Sequence, residues 1–161
     1  MVVEFNGRSN VAQYFVQHGV ALSKEQDSDR PLSPEGRHGV IAMAKHLRQA
    51  GVVLNAICHS GKTRARQTAE LFAEQLDVSN VVEVTGMSPN DDVAAFAETL
   101  KGDEVMYIGH LPHIGKLVSY LVTHDASSEV VKFDNAAVVC LEQGLERYYL
   151  KWFITPEVLN S

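Results

Sequence analysis

The sequence has few cysteines and no repeats or linkers, which argues against a disulfide-rich, repeat or multidomain protein. The 161-residue chain has two cysteines, Cys58 and Cys140, each inside an apolar run that predicts a strand, where cysteine usually serves as a small buried hydrophobe. A chain of this length can fold as one domain without disulfides or structural metals. No repeat, low-complexity tract or linker divides the sequence. We therefore expect a single domain over residues 1–161, with residues 1–10 as an amino-terminal lead-in.

Long hydrophobic runs and an excess of positive charge are also missing. No stretch of about 18 apolar residues occurs, and residues 1–10 lack the charged-then-apolar pattern of a signal peptide. The net charge of −6 and the isoelectric point near 5.6 disfavour nucleic acids and anionic membranes as partners, because binding to either needs a positive field. We expect a soluble cytoplasmic protein that binds neither nucleic acid nor membrane.

Apolar runs that predict strands alternate with segments in which apolar residues recur at helical spacing. The predicted strands cover residues 11–16, 54–58, 81–84 and 104–108, and the predicted helices cover residues 34–50, 65–76, 93–100 and 114–121. Two further runs, 136–141 and 147–153, flank a turn at Gly144 and predict an antiparallel hairpin. This order predicts an α/β fold, with a mainly parallel sheet covered on both faces and an antiparallel addition at its end.

Residues that can act on an anion follow three of the predicted parallel strands. His18 comes after the first strand, Arg64 shortly after the second, and His110 after the fourth. Ligands of such sheets bind beyond the carboxyl ends of the strands, so these side chains are expected to meet there. Helix amino termini predicted at Lys62 and Pro112 would add dipoles that favour negative charge. The pattern predicts a site for a single anion.

The residue types in this trio suit a phosphoryl group. A neutral His18 offers a ring-nitrogen lone pair, provided that a backbone carbonyl holds the other ring nitrogen as a donor. Arg64 offers a planar guanidinium that matches two phosphoryl oxygens. A lone histidine after a strand is more often structural, so the residue types alone leave both interpretations open.

Four segments carry a family resemblance in their order and spacing. They are residues 16–19 (VQHG), 30–36 (RPLSPEG), 60–69 (SGKTRARQTA) and 108–112 (IGHLP). Together they resemble the histidine phosphatase superfamily, also called phosphoglycerate mutase-like, and within it the compact phosphohistidine phosphatases of the SixA type. The resemblance implies a three-layer α/β/α fold that needs no metal or cofactor. It also implies removal of phosphate from a phosphohistidine domain of a partner protein, with inorganic phosphate as product.

The resemblance implies a role for each matching residue. His18 would be the phosphorylated nucleophile, Arg64 a phosphate ligand, and His110 the second histidine that contacts the phosphoryl group. Gln17 and Gly19 would also contact phosphate. The family's motif begins arginine-histidine-glycine, whereas this chain has Gln17 before the histidine, so one guanidinium is replaced by a neutral donor.

Three other positions remain open at this stage. Lys62 either compensates for the missing arginine or is an exposed lysine on the first turn of a helix, and Arg30 either lines the substrate entrance or is merely exposed. No glutamate is assigned as general acid, and Asp91 or Asp92 are the candidates if one exists. A phosphohistidine substrate does not require one, because its protonated ring is a comparatively good leaving group.

Two rivals to the phosphohistidine phosphatase also remain open. The chain could be a phosphate-binding regulatory module that has lost turnover, or a phosphatase of small phosphate esters. A metal-dependent hydrolase built around His59 and His113 is a third candidate, although their spacing fits no zinc signature. His113, at the start of a helix, is predicted to be a surface residue.

Overall fold

The computed structural model describes residues 11–159, which form a six-stranded mixed sheet with four α-helices. The predicted lead-in at residues 1–10 lies outside the described residues. The strands are β1 (Ala12–Gln17), β2 (Ala56–His59), β3 (Val81–Glu83), β4 (Val105–Gly109), β5 (Val138–Gln143) and β6 (Tyr148–Ile154). The helices are α1 (Pro34–Gln49), α2 (Thr63–Leu76), α3 (Val93–Ala97) and α4 (His113–Thr123), and a 3₁₀ helix covers Pro156–Leu159. Within this range no helix has both the length and the apolar character needed to cross a membrane.

The strand order β3-β2-β4-β1-β5-β6 places β1 and β4 side by side in the middle of the sheet. Strands β1 to β4 run parallel, and β5 and β6 add an antiparallel hairpin beside β1. The prediction of a mainly parallel sheet with an antiparallel end is therefore confirmed. Gln17 of β1 pairs with Gly109 of β4, so the residues that follow them, His18 and His110, leave the same edge of the sheet together.

Apolar side chains cover both faces of the sheet. On one face Tyr14 and Val16 of β1 pack with α1 and α2, and on the other Phe15 packs with α3 and α4. Successive residues of a strand point to opposite faces, so a central strand with helices on both sides is apolar at most of its positions. The three-layer α/β/α arrangement that the resemblance implied is confirmed.

Most predicted boundaries differ from the structure by one to three residues, as at α3, β2 and β5. Helix α3 ends at Ala97 rather than near residue 100, because the amides of Thr99 and Leu100 donate to carbonyls three residues earlier instead of four. His59 is the last residue of β2 rather than part of the following turn. Strand β5 begins at Val138, since Ala136 takes a left-handed backbone conformation with φ of 63°.

The first turn of α1 is fastened to the segment that follows His18. Ser33 caps the helix by accepting a hydrogen bond from the Gly36 amide at 2.9 Å, and its own amide donates to the Val20 carbonyl at 2.9 Å. Gly36 packs so closely on this segment that a Cβ atom would overlap the Val20 carbonyl oxygen. Only glycine fits there, and α1 thereby fixes the backbone next to His18.

Two substitutions in α1 test this contact. Gly36→Ala is expected to lower the free energy of unfolding by about 2 kcal/mol, because the backbone at Val20 must move. Gly39→Ala is the matched control, since nothing lies within 4 Å of its Cβ position, and it should leave stability unchanged or raise it by up to about 1 kcal/mol. Urea unfolding measures both values. Equal effects of the two substitutions would show that Gly36 is not under steric constraint.

Candidate functional site

Two histidine rings face each other at the carboxyl edge of the sheet. His18 follows β1 and His110 follows β4, and their ring centroids lie 5.0 Å apart. The His18 amide donates to the Gly109 carbonyl at 3.1 Å, which continues the β1–β4 pairing up to the site. Both residues are buried, at 8% and 2% exposure. The structure thus brings together the two histidines that the sequence placed after separate strands.

The hydrogen bonds of His18 define which ring nitrogen carries the proton. Nδ1 lies 2.7 Å from the Gly19 carbonyl oxygen, which can only accept, so Nδ1 must be the donor. Nε2 lies 3.3 Å from Nε of Arg64, which can only donate, so Nε2 accepts. His18 is therefore held as the neutral tautomer with a lone pair on Nε2, directed toward the guanidinium of Arg64.

Thr68 links Gly19 to helix α2. Its fully buried hydroxyl accepts from the Gly19 amide at 3.0 Å and donates to the Arg64 carbonyl at 2.7 Å. The Gly19 amide and carbonyl are thus both engaged, with Thr68 and with His18, and the predicted contact of Gly19 with phosphate stays a prediction. Thr68 had no predicted role. The signal available was a hydroxyl on the inner, apolar face of a helix, between Ala65 and Phe72.

His110 is hydrogen-bonded on one side only. Its Nε2 lies 2.6 Å from the Ser60 hydroxyl oxygen, while its Nδ1 is buried without a hydrogen-bond partner among the described residues. Ser60 belongs to the loop between β2 and α2, so this contact ties the third predicted site loop to the second. The ring is positioned but retains an unused nitrogen.

Burial keeps both site histidines neutral. For His18, loss of hydration lowers the pKa to about 4. The hydrogen bond to the Gly19 carbonyl partly offsets this effect, whereas the charges of Arg64 and Arg30 lower the pKa further. For His110, burial lowers the pKa to about 3, with further contributions from His18, Arg64 and Lys62. At neutral pH the site therefore contains two uncharged imidazoles beside fixed cations.

Arg30 is directed toward the site by the loop that follows His18. The segment folds back on itself through the Ala21–Leu32 bridge, and Nε of Arg30 donates to the Leu22 carbonyl at 3.0 Å. Arg30 has a left-handed backbone conformation, with φ of 48°, which is uncommon for a residue with a side chain. Its charge lowers the pKa of both His18 and Arg64. Arg30 is half-buried rather than merely exposed, and its place at the substrate entrance stays a prediction.

Gln17 lies beside the site, and the turn before β5 supports it. The Gln17 carbonyl accepts from the Ala136 amide at 2.9 Å, and Nδ2 of Asn135 donates to the His18 carbonyl at 3.0 Å. The side-chain Oε1 of Gln17 is buried with no hydrogen-bond partner among the described residues. The role of Asn135 was not predicted, because nothing in the neighbouring sequence shows that the turn before β5 returns to His18.

Lys62 contributes positive charge to the site, whereas Asp91 and Asp92 accept hydrogen bonds from backbone amides. Lys62 precedes α2 and is exposed, and its charge contributes to the lowered pKa of His110. Asp92 caps α3 by accepting from the amides of Ala94 and Ala95, and Asp91 accepts from the Ser88 amide at 2.8 Å. Both aspartates therefore stabilise local backbone.

His113 was predicted to be a surface residue, and this is wrong. It is fully buried, with its ring edge-on to Phe96 at a centroid distance of 5.7 Å. The reason is that the first turn of α4 packs against α3 instead of facing solvent. His59 is also buried, and its Nδ1 accepts from the Gly61 amide at 3.1 Å. Between residues 11 and 159, no three His, Cys, Asp or Glu side chains are grouped so as to hold a metal ion.

Comparisons with known proteins point to one family. A sequence model of the histidine phosphatase superfamily (branch 1) matches residues 13–87. The chain is 28% identical over 151 residues to the phosphohistidine phosphatase SixA of Escherichia coli (strain K12), a match that covers 89% of this chain and 92% of that protein. It is 27% identical over 143 residues to an uncharacterized protein of Picosynechococcus sp. (strain ATCC 27264 / PCC 7002 / PR-6), covering 83% and 86%.

Solved structures agree with the sequence matches. The structure of the protein histidine phosphatase SixA complexed with tungstate superposes with a TM-score of 0.78 at 25% identity, covering 92% of this chain and 99% of that one. The structure of the putative phosphohistidine phosphatase SixA from Agrobacterium tumefaciens has a TM-score of 0.76 at 21% identity, covering 91% and 98%. The second match bears on the fold alone.

The lowered histidine pKa values predict how stability depends on pH. The ordinary histidine pKa is 6.5, whereas those of folded His18 and His110 are about 4 and about 3, so between these values the unfolded chain binds more protons. The free energy of unfolding should therefore fall as pH decreases from about 6.5 toward 4. Urea unfolding across this range measures the slope.

Two variants test whether the site histidines cause this dependence of the unfolding free energy on pH. The double variant His18→Ala/His110→Ala should have a shallower slope, and the remainder would come from other buried groups such as His59 and His113, whose pKa values burial also lowers. His38→Ala, exposed on α1, serves as control and should retain the original slope. If the double variant and the control have the same slope as the unsubstituted protein, the site histidines are not the neutral groups described above.

Proposed function

We propose that this chain is a phosphatase of the histidine phosphatase superfamily and that it hydrolyses phosphohistidine on a partner protein through a phosphorylated His18. The observation that carries this proposal is the state of His18. Its Nδ1 is held by the Gly19 carbonyl, and its Nε2 lone pair lies beside Arg64. A buried neutral imidazole of this kind is a nucleophile at neutral pH.

In the first step, Nε2 of His18 attacks phosphorus in line with the bond to the substrate's imidazole. A bond from Nε2 to phosphorus forms as the bond from phosphorus to the substrate nitrogen breaks, and the substrate's ring, protonated on its other nitrogen, leaves as neutral imidazole. In the second step, water attacks phosphorus, and His18 leaves with its lone pair restored. The bond from phosphorus to Nε2 of His18 breaks as the bond to oxygen forms, and the water's oxygen and protons end in inorganic phosphate, the product. No metal or cofactor takes part in this scheme.

Fixed cations and dipoles hold the charge of the phosphoryl oxygens in both steps. Arg64 lies against the attacking nitrogen, and Arg30 acts on the same ring from the loop after β1. The amino terminus of α2, with Lys62, adds positive potential next to His110. His110 itself contacts the phosphoryl group as a neutral donor, and Gln17 supplies a second neutral donor. Electrostatic positioning of this kind accounts for most of the catalysis of phosphoryl transfer.

The surroundings of the two histidines support phosphohistidine over a phosphate ester. Within residues 11–159 the hydrogen bonds of the His18 and His110 rings are to Gly19, Arg64 and Ser60, and none is to a carboxylate. Asp91 and Asp92, the candidate acids, are engaged with backbone amides. An alkoxide leaving group needs a proton donor, whereas a protonated imidazole does not. A phosphoramidate bond is therefore the substrate that suits this site.

Phosphoenzyme formation tests the proposed chemistry. Brief incubation with a phosphohistidine peptide should leave acid-labile, base-stable phosphate on the unsubstituted protein and on His38→Ala. His18→Ala should accept no phosphate and lose about a thousandfold or more in turnover. Mass spectrometry locates the phosphate. Full turnover by His18→Ala would overturn the mechanism, and saturable binding without labelling would favour a phosphate-binding regulatory module.

A substrate panel tests the proposed specificity in the same preparations. We expect phosphohistidine peptide to be hydrolysed with the highest kcat/KM, and phosphoserine peptide, sugar phosphates and nucleotides to be poor substrates. Equal or faster hydrolysis of a small phosphate ester would replace phosphohistidine as the proposed substrate while leaving the role of His18 in place.

A double-mutant cycle tests whether Arg30 supplies the guanidinium that Gln17 does not. A charge-assisted hydrogen bond contributes about 1.5–3 kcal/mol, so Arg30→Gln should lower kcat/KM by about ten- to a hundredfold. Gln17→Arg should raise it, and in that background Arg30→Gln should cost less. Arg37→Gln, on the exposed face of α1, is the control for loss of charge. An Arg30→Gln effect no larger than that of the control would exclude Arg30 from the phosphate site.

Domain organisation and location remain predictions. In support of a single domain over residues 1–161, the one six-stranded sheet takes strands from Ala12 to Ile154. The cytoplasmic location is proposed from the sequence alone.

A further inference from the structure

A groove lies beside the site, lined by chain neighbours of the two histidines and by residues before β5 and in the 3₁₀ helix after β6. Gln17 and Asn135, which flank and support His18, line its inner end. Its volume is about 540 Å³, within the range of protein ligand sites and large enough for several side chains. Lys62 and Arg64 precede and begin α2, on the β2 side of the same sheet edge, and do not line this groove.

Two exposed apolar side chains form the part of the groove nearest the chemistry. Val20, two residues after His18, is 39% exposed, and Leu111, immediately after His110, is 43% exposed. Apolar side chains at the mouth of a polar site gain free energy when a bound partner covers them. A small phosphate compound occupying only the space between the histidines would leave both uncovered.

Two carboxylates form the rim farther out. Asp134 and Glu157 both line the groove, are exposed, and form no ion pair with any described residue. No lysine or arginine lines the groove. Positive charge is thus concentrated at the phosphoryl site, in Arg30, Lys62 and Arg64. Negative charge lies beside that site, in Asp134 and Glu157. A ligand complementary to both parts is anionic at one point and cationic a short distance away.

We propose that this groove docks the segment of the partner protein that flanks the phosphohistidine, and that this segment presents apolar side chains to Val20 and Leu111 and lysine or arginine side chains to Asp134 and Glu157. The inference rests on the proposed function, because it takes the phosphoryl group of the same ligand to lie between His18 and His110. It adds a basic flank to the description of the substrate.

Two peptides and one small substrate test the inference. The peptides share one phosphohistidine and the same apolar neighbours, and carry either lysines or glutamates at the flanking positions. Phosphoramidate is the small substrate, since it cannot reach the groove. The unsubstituted protein should prefer the lysine peptide by about tenfold in kcat/KM. That is the combined effect expected of two exposed ion pairs, one with Asp134 and one with Glu157. Asp134→Lys/Glu157→Lys should reverse that preference and leave phosphoramidate hydrolysis within about twofold.

A matched variant separates local from global charge. Glu74→Lys/Glu98→Lys makes the same change in net charge at exposed positions outside the groove and should retain the preference for the lysine peptide. Equal hydrolysis of both peptides by the unsubstituted protein would overturn the inference while leaving the proposed function in place. A loss of phosphoramidate hydrolysis matching the loss with the lysine peptide would also overturn it, because the carboxylates would then serve the catalytic centre.

Two further outcomes have a defined meaning. If the unsubstituted protein hydrolyses phosphoramidate and neither peptide, both the protein substrate and the docking groove are excluded. If sedimentation shows a dimer that Asp134→Lys/Glu157→Lys dissociates, a second copy of this chain occupies the groove, and the docking inference is wrong.

Discussion

The hydrogen bond from His18 Nδ1 to the Gly19 carbonyl is the interaction on which the site depends. It fixes a proton on one ring nitrogen and leaves the other as a lone pair beside Arg64. Thr68 holds the Gly19 amide, and the tight contact between Gly36 and Val20 holds the next peptide. Contacts from Gly36 of α1 and from Arg64 and Thr68 of α2 thus keep the His18 imidazole in one orientation, as its use as a nucleophile requires.

Sheet topology supplies the second requirement, which is that groups distant in sequence meet. The parallel pairing of β1 with β4 brings His18 and His110 to adjacent positions although 91 residues separate them. Burial in this central position removes the charge from both rings, while the arginines retain theirs. The site therefore combines neutral nitrogen with fixed positive charge, as attack on an anionic phosphoryl group requires.

Periodicity and strand ends were sufficient to predict the layers of the fold, the order of its elements and the loops that carry His18, Arg64 and His110. The roles of Thr68 and Asn135 were not predictable, because each depends on a contact with a segment far away in the sequence. The same holds for Arg30, whose direction is set by a loop that folds back on itself. His113 was misplaced because a helix start was taken as exposed, whereas α3 covers it.

The protonation state of His18 is the central claim, and nitrogen-15 NMR of histidine-labelled protein at neutral pH measures it directly. We predict a neutral ring with the proton on Nδ1 and an unprotonated Nε2, assigned through the loss of one set of signals in His18→Ala. A proton on Nε2, or a positively charged ring at neutral pH, would contradict it.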